Sequence, residues 1–206
     1  MTLLAFLDHA SVFVFALTGA LVASRAQLDV VGFVFVACLT AVGGGTLRDV
    51  MLDRAVFWVA APQFIALAAA AAVLVFFTAH LLESRLRAIE WLDACALAVA
   101  VPAGVGVALG LDQHPGIVLI MGVATGCFGG LMRDVVCNEV PLVLKQGELY
   151  VTAAFAGAGA ALVALALLGR TDVALMACAG VTFALRAGSL AFGWRLPVYR
   201  ARPPRR

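Results

Sequence analysis

The chain has 206 residues, of which 64% are hydrophobic and only 13% are charged, and its mean hydropathy is +1.07. Soluble domains carry about a quarter charged residues, so this composition excludes a soluble globular protein and indicates an integral membrane protein. The formal net charge is only +2, and we expect no nucleic-acid partner.

Seven apolar runs are long enough to cross a membrane, because the hydrocarbon core takes about 20 residues of helix. These spans are predicted near residues 4–23, 30–47, 61–81, 91–110, 116–132, 148–168 and 172–192. The first run could be read as a signal peptide, but it has no Lys or Arg ahead of it and it contains Asp8 and His9. We therefore expect the first run to remain as a span. The fold class predicted for 1–206 is an all-α polytopic membrane protein with a single transmembrane domain.

Residues that usually carry catalysis or bind metals are scattered along the chain. Five cysteines and three histidines form no CxxC or Cys/His metal spacing, and no nucleotide-binding loop or Ser-His-Asp arrangement stands out. The cysteines are interpreted as small buried hydrophobic residues. The sequence therefore predicts no enzyme, no cofactor and no resident metal.

One segment occurs twice, 85 positions apart. Residues 40–50 read TAVGGGTLRDV and residues 125–135 read TGCFGGLMRDV, with six of eleven positions identical. At the same shift, FLD at 6–8 corresponds to WLD at 91–93. A glycine costs about 1 kcal/mol in a helix, and an Arg or Asp at bilayer depth costs roughly 2.5–3.5 kcal/mol. The doubled segment therefore indicates a function that needs a weakened helix and buried charge.

The shift defines two related units and one extra helix. Repeat 1 covers about 4–81, repeat 2 about 89–168, the seventh helix about 172–192, and a basic tail 193–206. Each repeat holds three spans, an odd number, so the second repeat enters the membrane from the opposite face. This is the signature of a 3+3 inverted-topology repeat.

The glycine runs predict kinks in helices 2 and 5. An unbroken helix from Val30 to Phe57 would have 28 residues and a length of about 42 Å, longer than the hydrocarbon core of about 30 Å. We expect a break at Gly43–Gly45, with Thr46 as the N-cap of the second half, and a similar kink at Gly129–Gly130. The alternative is that these glycines only allow close helix packing.

The arginine–aspartate pairs need partners. Adjacent residues do not face each other on a helix, so neither arginine is expected to pair with the aspartate that follows it. Under the pseudo-two-fold axis, the predicted ion pairs are Arg48 with Asp134 and Arg133 with Asp49. The alternative is that both pairs only mark span ends at the headgroups.

The basic residues predict an orientation. Five arginines lie in the tail 193–206, and cytoplasmic segments are enriched in Lys and Arg, which places the C-terminus in the cytoplasm and the N-terminus outside. Ten of the fourteen basic residues then lie on the inner side. The tail is interpreted as a topogenic, disordered end, and the alternative is that it binds anionic membrane lipid.

The motifs GGGTLRD and GGLMRD, in a seven-span chain with a 3+3 inverted repeat, resemble the prokaryotic branch of the trimeric intracellular cation channel (TRIC) family. The resemblance covers essentially the whole chain. It implies a homotrimer in a bacterial inner membrane, with one pore per protomer lined by kinked helices 2 and 5. Such a pore passes monovalent cations, K⁺ above Na⁺.

The resemblance also implies roles for the repeated residues. Those expected at the pore and kinks are Gly43, Gly44, Gly45, Gly129 and Gly130, and those expected as pore charges or gate are Arg48, Asp49, Arg133 and Asp134. The hydroxyls of Thr40 and Thr125 can replace part of a cation's hydration. Phe128 stands where the first copy has Gly43, and it is a candidate apolar plug.

Two other functions stay open. A secondary transporter of a small solute such as glycine also uses inverted repeats and broken helices, and Arg48 or Arg133 could bind a carboxylate. Against it, the spans contain few polar groups for a substrate pocket. A membrane protein with only a structural or assembly role is the third interpretation, supported by small-residue helix faces alone.

Overall fold

The computed structural model describes residues 3–81 and 84–199, and this part of the chain is helical without any β-strand. The α-helices of these residues are α1 (Leu3–Arg25), α2 (Val30–Met51), α3 (Phe57–Ala60), α4 (Gln63–Thr78), α5 (Arg85–Gly110), α6 (Pro115–Val136), α7 (Val151–Leu168) and α8 (Thr171–Phe192). A 3₁₀ turn at Ala79–Leu81 extends α4, and another at Leu142–Leu144 follows α6.

Seven of these helices are long and apolar enough to cross a membrane: all except the four-residue α3, with α4 counted together with its 3₁₀ turn. The seven-span, all-α fold predicted from the sequence is therefore confirmed. The helices also extend beyond the apolar runs at several ends. In particular, α2 and α6 continue through their Arg-Asp pairs, which the predicted bounds of 47 and 132 left outside.

The two repeats begin their glycine-rich helices in the same way. Asp29, before α2, accepts a hydrogen bond at its side chain from the backbone N–H of Gly32 at 2.8 Å. His114 lies 85 positions later and accepts one from the N–H of Gly116 at 3.2 Å. Both side chains satisfy backbone donors that the first turn of a helix leaves unpaired.

The helix ends repeat as well. Within the described residues, the non-glycine positions with positive φ are Gln27, Asp53, Asp112 and Asn138, with φ between 50° and 56°. They form two pairs separated by 85 positions and follow α1, α2, α5 and α6. A left-handed residue just after a helix lets the chain turn and satisfies the last carbonyls. Since α2 ends at Met51, an unbroken helix of 28 residues from Val30 to Phe57 does not form.

The helices pack as two three-helix units. Helices α1, α2 and α4 contact one another, α5, α6 and α7 do the same, and the units meet where α1 contacts α5 and α2 contacts α6. Helix α8 packs on α7 and α5 and has no counterpart in repeat 1. The candidate site therefore lies between the units, with α8 added on one side.

Candidate functional site

Helices α2 and α6 cross at their glycines. A Cβ added to Gly44 would clash with the carbonyl oxygen of Thr125, and a Cβ added to Gly129 would clash with that of Thr40. These two contacts are equivalent under the 85-residue shift. They require the helices to run antiparallel, as the inverted repeat predicts.

The glycines do not interrupt either helix, so the expected break is wrong. Backbone conformation stays helical from Val30 to Met51 and from Pro115 to Val136. Thr46 is not an N-cap, because its hydroxyl donates to the carbonyl of Val42, one turn back, at 2.7 Å. Close packing, the alternative interpretation, explains the positions of these glycines. A bend within the continuous helices remains a prediction.

The threonines of the motif lie at the crossing and are buried. The hydroxyl of Thr40 donates to the carbonyl of Val36 at 2.6 Å, and that of Thr125 to the carbonyl of Met121 at 2.7 Å. Each threonine therefore keeps oxygen lone pairs free to accept a hydrogen bond or to contact a cation.

The remaining glycines and Phe128 have different surroundings. Gly43 faces Met132, Gly45 faces the ring of Phe57, and Gly130 lies against the Tyr150 hydroxyl. Phe128 lines an apolar groove on the outer face of α2 and α6, together with Gly43 and Met132. It points away from the polar interior, so the structure does not support Phe128 as a plug.

The first charged cluster lies at the C-terminal end of α2. The Nε of Arg48 donates to Asp49 Oδ1 at 2.8 Å, and its Nη1 approaches Asp8 Oδ1 on α1 at 3.5 Å. The other oxygen of Asp49 accepts the backbone N–H of Phe57 at 2.9 Å. Arg54 contributes a longer ion pair to Asp49, at 3.6 Å.

The second cluster repeats this arrangement at the end of α6 with shorter bonds. Arg133 Nε donates to Asp134 Oδ1 at 2.7 Å, and its Nη1 donates to Asp93 Oδ1 on α5, also at 2.7 Å. The second oxygen of Asp134 accepts the N–H of Leu142 at 2.9 Å. Asp93 corresponds to Asp8, and Leu142 to Phe57, at the same 85-residue shift.

The predicted cross-pairs between the repeats do not form. The mutual contacts place the crossing near Val42 and Cys127, and each arginine lies six residues beyond that point, in opposite directions. At 1.5 Å per residue, Arg48 and Arg133 are about 18 Å apart along the helices. Each arginine instead bonds the aspartate beside it, because its long side chain folds back along the helix.

The two clusters differ in burial. Asp93 and Arg133 have fully buried side chains, whereas the side chain of Asp8 is 20% exposed. Arg133 also donates to the Thr18 hydroxyl at 2.9 Å, and Tyr150 donates to Asp93 Oδ2 at 2.7 Å. Burial, with Asp93 beside it, raises the pKa of Tyr150 well above its usual range, so this hydroxyl stays protonated and donates.

A small polar cavity connects the first cluster with the helix crossing. It is lined in part by Asp8, Ser11, Thr40, Gly44, Arg48 and Thr125. Its volume of about 10 Å³ is close to what one water molecule needs. A hydrated cation does not fit in this cavity.

Several residues of the clusters were not predicted. Asp8 and Asp93 were used only as evidence for the repeat and were not predicted as site residues. A carboxylate inside an apolar span is itself a sign of function. Thr18 and Tyr150 carry no sequence signal, since a lone Thr or Tyr near a span end is ordinary.

A third buried cation, Arg186, lies on α8. It donates to Glu148 Oε2 at 2.7 Å, and its guanidinium lies 5.1 Å from the centre of the Tyr150 ring. Its Nε and Nη2 find no hydrogen-bond partner among the described residues. An arginine inside a transmembrane span is a sign of function, as for the repeated arginines, and Arg186 was not among the predicted site residues.

The fold and these clusters define a multi-pass membrane protein. It is built as an inverted repeat, with one charged cluster on each side of the helix crossing. The sequence matches the family described as "Glycine transporter" over residues 5–80 and 90–166. This is the TRIC family, and the chain belongs to it.

Similar proteins agree with this assignment. A crystal structure of a TRIC orthologue from Rhodobacter sphaeroides has a TM-score of 0.90 and 41% identity, covering 94% of this chain and 100% of that one. A membrane protein of Vibrio cholerae is 35% identical over 96% of this chain and 83% of its own. The inner membrane protein YadS of Escherichia coli (strain K12) is 40% identical over 73% of each chain. The resemblance drawn from the motifs is therefore confirmed.

Proposed function

We propose that this protein is a K⁺-permeable channel for monovalent cations, with one pore in each protomer of a homotrimer. The similarity to a structure described as a trimeric intracellular cation channel orthologue supports the cation channel and the trimer. The observation in this chain that carries the proposal is the pair of charged clusters on opposite sides of the α2–α6 crossing, with the buried hydroxyls of Thr40 and Thr125 between them.

The formal charge of the second cluster favours cations. It combines two carboxylates, Asp93 and Asp134, with the single guanidinium of Arg133, so its net charge is −1 when all groups are ionised, which attracts cations and repels anions. The first cluster has the same core of Asp8, Asp49 and Arg48, but Arg54 also pairs with Asp49 and brings its net charge to zero. The arginines oppose a passing cation, so we assign them to a barrier or gate.

In the proposed conducting state, α2 and α6 separate or bend at their glycines. The hydroxyl and carbonyl oxygens of Thr40 and Thr125 then replace part of the hydration shell of K⁺. Gly44 and Gly129 pack directly on the carbonyls of Thr125 and Thr40, so the helices have to separate before a cation reaches these oxygens. The permeating K⁺ is the transported ion, and the mechanism requires no cofactor.

We place the protein in a bacterial inner membrane, with the N-terminus outside and the C-terminus in the cytoplasm. The name of the Escherichia coli relative supports the membrane, and the distribution of Lys and Arg supports the orientation. The sequence tail 193–206 is our candidate for contact with anionic lipid; its residues 200–206 lie outside the described part.

Planar-bilayer recording tests the channel. Purified protein should give single-channel currents that reverse at the K⁺ equilibrium potential in a KCl gradient. Arg48→Ala and Arg133→Ala should change unitary conductance or open probability, whereas Arg170→Ala, an exposed arginine that pairs with Asp172, should match the wild type. If Arg48→Ala and Arg133→Ala both give currents like those of the wild type, the assignment of these arginines to a gate is wrong. If the wild-type protein gives no cation current, the proposed channel function is wrong.

The second candidate is a secondary transporter of glycine, which the description of the matching family favours. Proteoliposomes separate the two candidates. A transporter accumulates labelled glycine against its gradient with saturation, driven by an ion gradient, and a channel does not. Saturable uphill uptake without passive K⁺ current would replace our proposal with this one.

A further inference from the structure

The chain turns back after α8 and attaches to the loop before α7. Gly193, with φ of 69°, ends α8 in the left-handed conformation. The backbone N–H of Leu196 then donates to the carbonyl of Gly147 at 2.8 Å, and Arg195 forms an isolated antiparallel bridge with Glu148. We name residues 194–196 the C-terminal clasp.

The side chain of Ser189 joins the clasp to the same loop. Its hydroxyl donates to the carbonyl of Trp194 at 3.0 Å and accepts the backbone N–H of Leu149 at 3.2 Å. The Trp194 ring covers Gly188, where an added Cβ would clash with it. The clasp is therefore a defined contact, made by specific residues of α8 and the loop.

The loop that the clasp holds carries two links to the buried interior. Glu148 accepts from Arg186 at 2.7 Å, and Tyr150 donates to Asp93 at 2.7 Å. Asp93 in turn binds Arg133 of the second charged cluster. A continuous path of hydrogen bonds and loop backbone thus connects the clasp at the surface with the second charged cluster, which we assign to the gate.

The clasp is much less firmly held than the groups it restrains. Trp194 is 48% exposed and Leu196 is 45% exposed, whereas Tyr150 and Asp93 are buried. Segments with few buried contacts and exposed backbone hydrogen bonds open locally at small free-energy cost. The clasp can therefore detach while the helices stay folded.

We propose that the C-terminal clasp is a releasable restraint on the loop 145–150, and that its release loosens the bond between Tyr150 and Asp93 and favours opening. The second part rests on the proposed channel function. The first part, the restraint on the loop, is independent of any transport activity.

The test compares two proline variants of the full-length protein. Leu196→Pro removes the N–H that binds Gly147, and Val198→Pro is the matched control, because the N–H of Val198 makes no backbone bond to the loop in the described chain. Hydrogen-exchange mass spectrometry should show exchange in 145–150 at least ten times faster in Leu196→Pro, with the Val198→Pro protein like the wild type. Unchanged exchange in Leu196→Pro would overturn the proposal.

Bilayer recording supplies the second measurement. Leu196→Pro should raise the open probability several-fold at unchanged unitary conductance. If Leu196→Pro shows faster exchange but the open probability of the wild type, the restraint on the loop stands and its link to channel opening is overturned. If the wild type carries no current, the channel function fails while the exchange result still decides the restraint. If Leu196→Pro does not fold, Ser189→Ala replaces it as the test variant. It removes the two hydrogen bonds of the Ser189 hydroxyl without changing the backbone, and we expect a smaller increase in the exchange rate of 145–150.

Discussion

At the scale of single residues, Asp8 and Asp93 occupy equivalent chain positions but have unequal partners. Asp93 receives short bonds from Arg133 and Tyr150 and is fully buried. Asp8 is partly exposed and lies 3.5 Å from Arg48. The same residue type thus makes a short, fully buried ion pair in one repeat and a longer, partly exposed ion pair in the other.

We predict that Asp93→Asn destabilises the protein far more than Asp8→Asn. Removing one charge of a buried pair costs about 3–5 kcal/mol, whereas loss of a partly exposed pair costs about 1 kcal/mol or less. Thermal unfolding of the detergent-solubilised protein, followed by intrinsic fluorescence, measures the difference. Equal losses for the two variants would show that the contrast in burial has no energetic consequence.

The ion-pair partners of Arg48 and Arg133 could not be predicted from the sequence. The sequence identified both Arg-Asp pairs as buried and important. It could not identify their partners, because the rule that adjacent helical residues do not face each other concerns Cβ directions. A long arginine side chain can fold back far enough to bring its Nε to the neighbouring carboxylate, while the other carboxylate oxygen binds a loop N–H.

At the scale of helices, the glycines determine how closely α2 and α6 approach. Gly44 and Gly129 each face a backbone carbonyl of the other helix, and backbone cannot move aside as a flexible side chain can. The sequence located these glycines and offered packing as an alternative to a break. It could not choose between them, since both outcomes favour small residues.

We predict that Gly44→Ala and Gly129→Ala each lower the free energy of unfolding by about 1–3 kcal/mol, the usual loss on overpacking. Gly159→Ala on α7 is the matched control, because no atom lies within 4 Å of its added Cβ. It should be neutral or stabilise by up to about 1 kcal/mol, the difference in helix propensity. Unfolding titrations in mixed micelles measure all three variants, and a neutral Gly44→Ala would contradict close packing at the crossing.

At the scale of the whole molecule, hydrophobicity predicted the seven spans because the lipid core demands apolar residues along most of each helix. The repeat added the inverted arrangement. The repeat could not predict the difference between the two charged clusters, since Tyr150 and Arg186 lie at positions without a polar counterpart in repeat 1. Tyr150, in the loop before α7, donates to Asp93 of the second cluster, and Arg186 of α8 packs on the Tyr150 ring.

Charge distribution also predicts the orientation of the entire molecule. The sequence predicts ten basic residues on the cytoplasmic side. Of these, Arg25 and Lys145 form ion pairs with Glu139 at 3.1 Å and Glu90 at 3.0 Å. Translocation of such positively charged segments is disfavoured.

A green fluorescent protein fused after residue 206 should therefore fluoresce in bacterial cells, and alkaline phosphatase fused there should be inactive. Replacing the five tail arginines with glutamine should yield a fraction of inverted molecules with active phosphatase. Active phosphatase on the unmodified chain would instead place the C-terminus outside, and with it the clasp and the second cluster.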